Sequence, residues 1–326
     1  MTPTAVQSAT TERARALVAD RKAEAVALGR EAGGLIHDPA TLVATLRAGL
    51  EALADPEYLA GIHHVAPGIG HVLGVRQPLL HAVTGGLRAA TLRDRPTSLL
   101  DVAGHLVRDP LLELHWIAYG LLERTIADEP ERSWQLVRAE GRSAGNWICV
   151  DTLAHVAARG VLAEPYRWAE LEQLVYSPSR WERRLAGSTI ATIPHANRTA
   201  GRTPEVVRRG LAIVDDLIGD PEPDVQKALS WALRTLASVD LATTAAFLRT
   251  ETRTARATDD GYRAWVIRDT CERLPAPLAA ELRDALSGIR RRPGASSTSR
   301  ASARAADFLA YGLAVPPAER ATIDRT

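Results

Sequence analysis

The chain has 326 residues, enough for a large core and for roughly one to three ordinary domains. Apolar residues make up 46% and charged residues 24%, and charged or His residues interrupt every apolar stretch well short of the about 18 residues that a membrane span requires. Net charge is +1, so no bulk positive excess draws the chain to nucleic acid, and any basic surface must come from local clustering.

The opening stretch MTPTAVQSATTERARALVADRK has no apolar segment after a basic start, so no secretory signal is expected. Cys149 and Cys271 are the two cysteines, and neither has a Cys or His at ligand spacing. That usage fits a reducing, cytoplasmic setting without a disulfide. His63, His64 and His71 crowd one segment, but no carboxylate stands at metal spacing with them, so no metal is expected.

Helical periodicity runs nearly throughout, and strand-like alternation is nearly absent. The pattern predicts helices at 11–31, 39–54, 77–93, 99–107, 110–126, 131–140 and 146–160. It continues with 166–175, 179–193, 204–218, 223–237, 241–251, 261–274, 277–289 and 300–311. Proline stands at or near several starts, as in DPLLELHW, TPEVVRRGL and DPEPDVQKAL, where its missing N–H costs nothing. The segment 293–303 is Ser/Arg/Gly-rich and reads as a flexible linker before a C-terminal helix and tail over 304–326.

Many helices joined by short turns predict an all-α fold: a right-handed α-solenoid of degenerate HEAT-like helix pairs with a concave groove. Residues 1–292 are expected to form it as a single domain. Three segments share a theme, DPLLELHWIAYGLLER, SPSRWERRLAGSTIA and DPEPDVQKALSWALR: a Pro-containing start, then a helix carrying Trp and ending in or near Arg.

In GNWICVD, Trp147 and Asp151 stand one helical turn apart and so share a face. Arg184 follows Trp147 by 37 residues and Trp231 follows Arg184 by 47, each close to one HEAT-like period. The period therefore predicts that these helices line one groove. Two indoles, a carboxylate and a guanidinium there would suit a cation, because indole faces attract positive charge by ~0.5–1 kcal/mol when exposed and ~2 or more when desolvated. An N-alkylated purine is such a cation. Asp151 would stabilise the charge that develops on the sugar as the glycosidic bond breaks, and would orient a water. Trp in an all-α protein also serves plain packing, and Trp116, Trp134, Trp168, Trp181 and Trp265 are read that way.

The stretches NWICVDTLAHVAARGV, SRWERRLAGSTIATI and DPEPDVQKALSWALRTLASVD resemble the DNA alkylation repair (AlkD-like) family of HEAT-repeat proteins. Its members read W-x-x-x-D, then W-x-x-R-x-A, then K-A-x-x-W-x-L-R, and all three occur here in order. HVLGVRQPLLHAV also looks like the family's G-V-R-x-P entry to an N-terminal helix. The resemblance covers about 60–275 and implies a DNA glycosylase that excises cationic N3- and N7-alkylpurines, or bulky antibiotic adducts, from double-stranded DNA without flipping the base. It implies that Trp147 and Trp231 cradle the lesion-bearing nucleotide, that Asp151 is catalytic, and that Arg184 lies beside the DNA backbone. Arg183, Lys227, Arg234 and the run Arg290–Arg292 are further expected phosphate contacts, with Arg76 the weakest of them. No cofactor is expected, since a cationic base is already a good leaving group, and a monomer is expected to act alone. A non-catalytic binding scaffold, or an enzyme or sequestering protein for an alkylating natural product, would use the same Trp/Asp surface.

Overall fold

A computed structural model describes the backbone of residues 5–310 and the side chains of 11–305. Contacts group the chain into two compact units that meet in sequence at Glu164 and Pro165. The first holds α1 (Ala5–Gly34), α2 (Pro39–Leu53), α3 (Pro56–Val65), α4 (Gln77–Ala90), α5 (Pro96–Leu106), α6 (Leu112–Thr125), α7 (Pro130–Ser143) and α8 (Trp147–Ala163). The second holds α9 (Arg167–Gln173), α10 (Arg180–Ala196), α11 (Pro204–Leu217), α12 (Pro223–Val239), α13 (Leu241–Thr258), α14 (Gly261–Thr270), α15 (Ala276–Ala285) and α16 (Arg300–Ala310). No strand occurs among the described residues, and none of their helices is long and apolar enough to cross a membrane.

Packing alternates along the chain. In the first unit α4 packs on α1 and on α6, and α6 packs on α8, while α2, α5 and α7 form the companion row. In the second unit α10, α12 and α14 make one row and α11, α13 and α15 the other. Helices two apart in sequence stack side by side while adjacent helices bridge the rows, which is the stacking of an α-solenoid. Each candidate helix, α8, α10 and α12, belongs to the even-numbered row of its unit.

The local rules seen in the sequence set the starts. Pro39, Pro56, Pro96, Pro130, Pro204 and Pro223 are each the first residue of a helix. Asp38, Asn146, Thr203 and Asp240 accept first-turn amides with their side chains. The helix expected from 110 begins later, at Leu112, because Asp109 accepts the Leu111 amide at 2.9 Å and Leu112 donates its own to the His71 carbonyl at 3.0 Å. Helix α13 runs past 251 and stops at Asp259, which turns the chain with φ +52°. Helix α3 is absent from the sequence reading. It is ten residues long and buries only Ile62, too little for a periodic signal. The expected C-terminal helix is seen to Ala310, and Tyr311 with the rest of the tail lies outside the described residues. Within the Ser/Arg/Gly-rich segment, Thr298 donates its amide to the Gly219 carbonyl at 3.1 Å, and Tyr262 donates its hydroxyl to Ala295 at 2.9 Å.

Two glycines let the best-packed pair of the first unit approach. A methyl on Gly86 would meet the Val26 carbonyl, and one on Gly29 would meet that of Val83, so α1 and α4 touch backbone to backbone. Gly85, one residue away, faces open space. Gly86→Ala should therefore destabilise the protein by about 1–3 kcal/mol through overpacking. Gly85→Ala should instead leave stability unchanged or raise it by about 0.5–1 kcal/mol through helix propensity. Urea denaturation of the two variants checks the contrast.

Candidate functional site

Helix α8 begins at Trp147 because Asn146 caps it. Asn146 has extended backbone, φ −153° and ψ 159°, and its side-chain oxygen accepts the Cys149 amide at 2.9 Å. The same side chain, itself buried, donates to the Ile69 carbonyl at 3.2 Å. The first turn of α8 is thereby fastened to the connection between α3 and α4. Cys149, Val150, Leu153 and Ala154 face the core. Trp147 and Asp151 lie half-buried at the edge of that face, and exposed His155 and Arg159 follow Asp151 at the same spacing. Arg159 pairs with Glu123 at 3.2 Å. The expected indole and carboxylate thus do share one face of one helix.

The α3–α4 connection is held from below by a buried carboxylate. Glu113 on α6 accepts the amides of Leu73, Gly74 and Val75 at 3.0, 2.9 and 3.3 Å through one oxygen. Burial pushes its carboxyl above the ordinary value, against the pull of those amides. Gly74 takes φ +82° there, and a side chain would collide with Leu59. The turn delivers Arg76, whose Nε donates to Asp55 at 2.7 Å while its guanidinium lies 5.1 Å over the Tyr58 ring. Arg76, expected to meet phosphate, joins the starts of α3 and α4.

In the second unit the expected residues fall on the packed pair α10 and α12. Arg183 donates to Asp220 at 2.6 Å and to the carbonyls of Ser177 and Pro178 at 2.8 and 3.0 Å. Arg184 is buried, donates to the Asp224 carbonyl at 2.6 Å, and lies 3.8 Å from the Asp224 carboxylate. Arg183 and Arg184 therefore both bind the entry to α12. Lys227, Trp231 and Arg234 follow at helical spacing along one side of α12. Lys227 is exposed, Trp231 is half-buried, and Arg234 pairs with Asp269 at 2.6 Å. No ion pair is found for Lys227 among the described residues.

Sequence reading missed Glu113 and Asn146. Asn146 carried a signal, an N-cap residue directly before the helical pattern. Glu113 carried none, because its three amides lie 38–40 residues away in sequence. Among the described residues no group of three His, Cys, Asp or Glu is arranged to hold a metal ion.

Two buried groups give measurable consequences. Burial pushes the Cys149 thiol up to about 11, with Asn146 pulling the other way. The folded protein should leave Cys149 unreacted with iodoacetamide near neutral pH, and urea should expose it. His115 donates from Nδ1 to Glu140 at 2.8 Å and from Nε2 to the Asp109 carbonyl at 2.7 Å. Two acceptors call for the imidazolium. Burial alone would lower its pKa, but Glu140 and the Asp109 carbonyl outweigh it and raise the value. A raised folded-state pKa stabilises fully below the unfolded value and is lost as pH climbs through the folded one. Urea midpoints should thus fall as pH climbs past about 6.5 in the wild type, and His115→Gln should lack that fall.

Comparison with curated proteins returns no match. A family model described as DNA alkylation repair enzyme matches residues 46–274, which contain Arg76, Trp147, Asp151, Arg183, Arg184, Lys227, Trp231 and Arg234. With more than half of its length matched, on a fold of stacked helix rows, the chain belongs to the DNA alkylation repair enzyme family.

Proposed function

We propose that the protein is a DNA glycosylase that hydrolyses the N-glycosidic bond of a cationic N3- or N7-alkylated purine in duplex DNA. The observation that carries this reading is the pair on α8: an indole and a carboxylate, half-buried on one face and anchored by a buried cap. Its setting is a chain of the DNA alkylation repair enzyme family. Bulky adducts left by alkylating antibiotics belong to the same class of substrate, because the damaged base is again a cation.

The chemistry follows from that charge. As the bond from C1′ to the base nitrogen breaks, its electron pair moves to the base and cancels the positive charge. The sugar becomes oxocarbenium-like, and Asp151 stabilises it while orienting the water that attacks C1′. The attacking water gives up its proton, so the products are the free alkylbase and an abasic site. Trp147 and Trp231 present indole faces to the departing cation. Lys227 supplies a phosphate contact. Arg183, Arg184 and Arg234, each paired with a carboxylate, hold α12 against its neighbours, while Arg76 joins the starts of α3 and α4.

The test is release of 7-methylguanine from methylated duplex DNA, followed by chromatography. Asp151→Asn should cut the single-turnover rate by at least about 100-fold, the scale of losing a charge-stabilising group, while duplex affinity shifts by less than about threefold. If the wild type releases no alkylbase, bulky adducts included, the reading fails.

A further inference from the structure

The cations that the site leaves uncompensated gather on the rim of α12 and α14. Arg183, Arg184 and Arg234 each face a carboxylate, and so does Arg292, which pairs with Asp259. Arg291 does not. Its guanidinium lies 4.9 Å over the Trp265 ring, and its Nη1 donates to the Gln226 side-chain oxygen at 3.1 Å. Both partners are neutral, so the positive charge of Arg291 stays whole. Gln226 is itself buried and locked, donating to the Asp220 carbonyl at 2.7 Å. An exposed arginine is thereby seated on an indole and fixed by an amide that cannot turn away.

Three more cations belong to this region. Arg290 is exposed, and its one described partner is a backbone carbonyl, that of Ile289 at 3.3 Å. Arg268, one turn beyond Trp265 on α14, spends one nitrogen on the carbonyls of Leu286 and Ile289, each at 2.6 Å. Lys227 is the residue next to Gln226 and is likewise exposed. No ion pair is found for any of these four cations among the described residues, and Arg290 and Arg268 are near enough to repel one another. Burial and then the neighbouring Arg290 both hold Arg268 below its usual value. Such an arrangement is stabilised by an anion, and the planar fork of a stacked arginine matches a phosphate.

We infer that Trp265 and Arg291, with Arg290, Arg268 and Lys227, form a second phosphate-binding site that takes the backbone of duplex DNA one helix beyond Trp231. Trp265 acts as the seat of Arg291, not as packing alone. The inference rests on the duplex-DNA part of the proposed function and not on base release. Lys227, Trp265 and Arg268 lie within the residues that the family model matches, and Arg290 and Arg291 lie beyond them.

Fluorescence anisotropy with a short unmodified duplex across a salt series tests it. Each lost phosphate contact should lower the slope of log affinity against log salt by about one, and near 0.1 M salt weaken binding roughly eightfold. Arg291→Ala is expected to do so, and Arg290→Ala with Arg291→Ala to remove about two units of slope. Trp265→Leu should approach the Arg291→Ala loss, and Arg291→Lys should keep part of the slope, since charge stays while the stacked fork is lost. Arg249→Ala, which breaks an exposed pair with Glu281 on α13 and α15, serves as the control and should stay within about twofold. Thermal melts of the same samples exclude unfolding as the cause. An unchanged slope in the double variant overturns the site, whatever base release does. A wild type that binds no duplex overturns it together with the proposed substrate. Intact duplex binding with the expected losses, but no alkylbase released, supports the site and sinks the glycosylase alone.

Discussion

The candidate residues depend on helices packed closely enough to fix their rotation. In the second unit this closeness comes from small side chains between α10 and α12. Gly187 faces Ala228, and a methyl added there would lie 3.0 Å from the Ala228 methyl. Ala186, Ala191, Ala232 and Ala228 are all fully buried. With so little between the backbones, neither helix can rotate without collision. The half-buried position of Trp231 is therefore set by the opposite face of α12, where Val225, Leu229, Leu233 and Leu236 are shut away from solvent. The same device, built from Gly29 and Gly86, heads the even row of the first unit.

Charge is spent mostly on joining elements. Arg183 ties the approach to α10 to the loop before α12, Arg76 ties α3 to α4, and Arg263 is buried between Glu251 and Asp260. Each such pair removes a positive charge from the surface field while holding a connection in place. The composition supplies the partners, with 39 Asp and Glu against 40 Lys and Arg. Pairing also separates two uses of one residue type: an arginine facing a carboxylate fixes structure, while one facing neutral partners keeps its charge for an external anion.

The sequence carried the parts that depend on short range. Helix starts at proline, the cap at Asn146, and the shared face of Trp147 and Asp151 all follow from neighbours within one turn. So does the side of α12 that carries Lys227, Trp231 and Arg234. What was not legible depends on distant partners. Nothing in WERRLAG shows that Arg184 reaches the Asp224 carbonyl, forty residues on. Glu113 reads as an ordinary helical glutamate until its three amides are in place. Trp265 reads as packing until Arg291 is found above it, because the loop that returns Arg291 to α14 has no periodic pattern.

A carboxylate on the first turns of a helix lies in an environment its own backbone favours, since helix N-termini carry partial positive charge. Asp151 is the fifth residue of α8, just past the amides that Asn146 helps to satisfy. Its backbone is held on two sides: through Asn146 to Ile69, and through the Val150 and Leu153 side chains to the core. In the reaction proposed above, a group that meets a short-lived sugar cation gains more from such fixity than from a mobile loop, because reorganisation at the moment of bond breaking would cost rate. The buried thiol of Cys149, two residues away, fits the same demand. A surface thiolate beside Asp151 would be a target for the electrophiles whose products the family repairs, and burial removes that nucleophile without removing the residue.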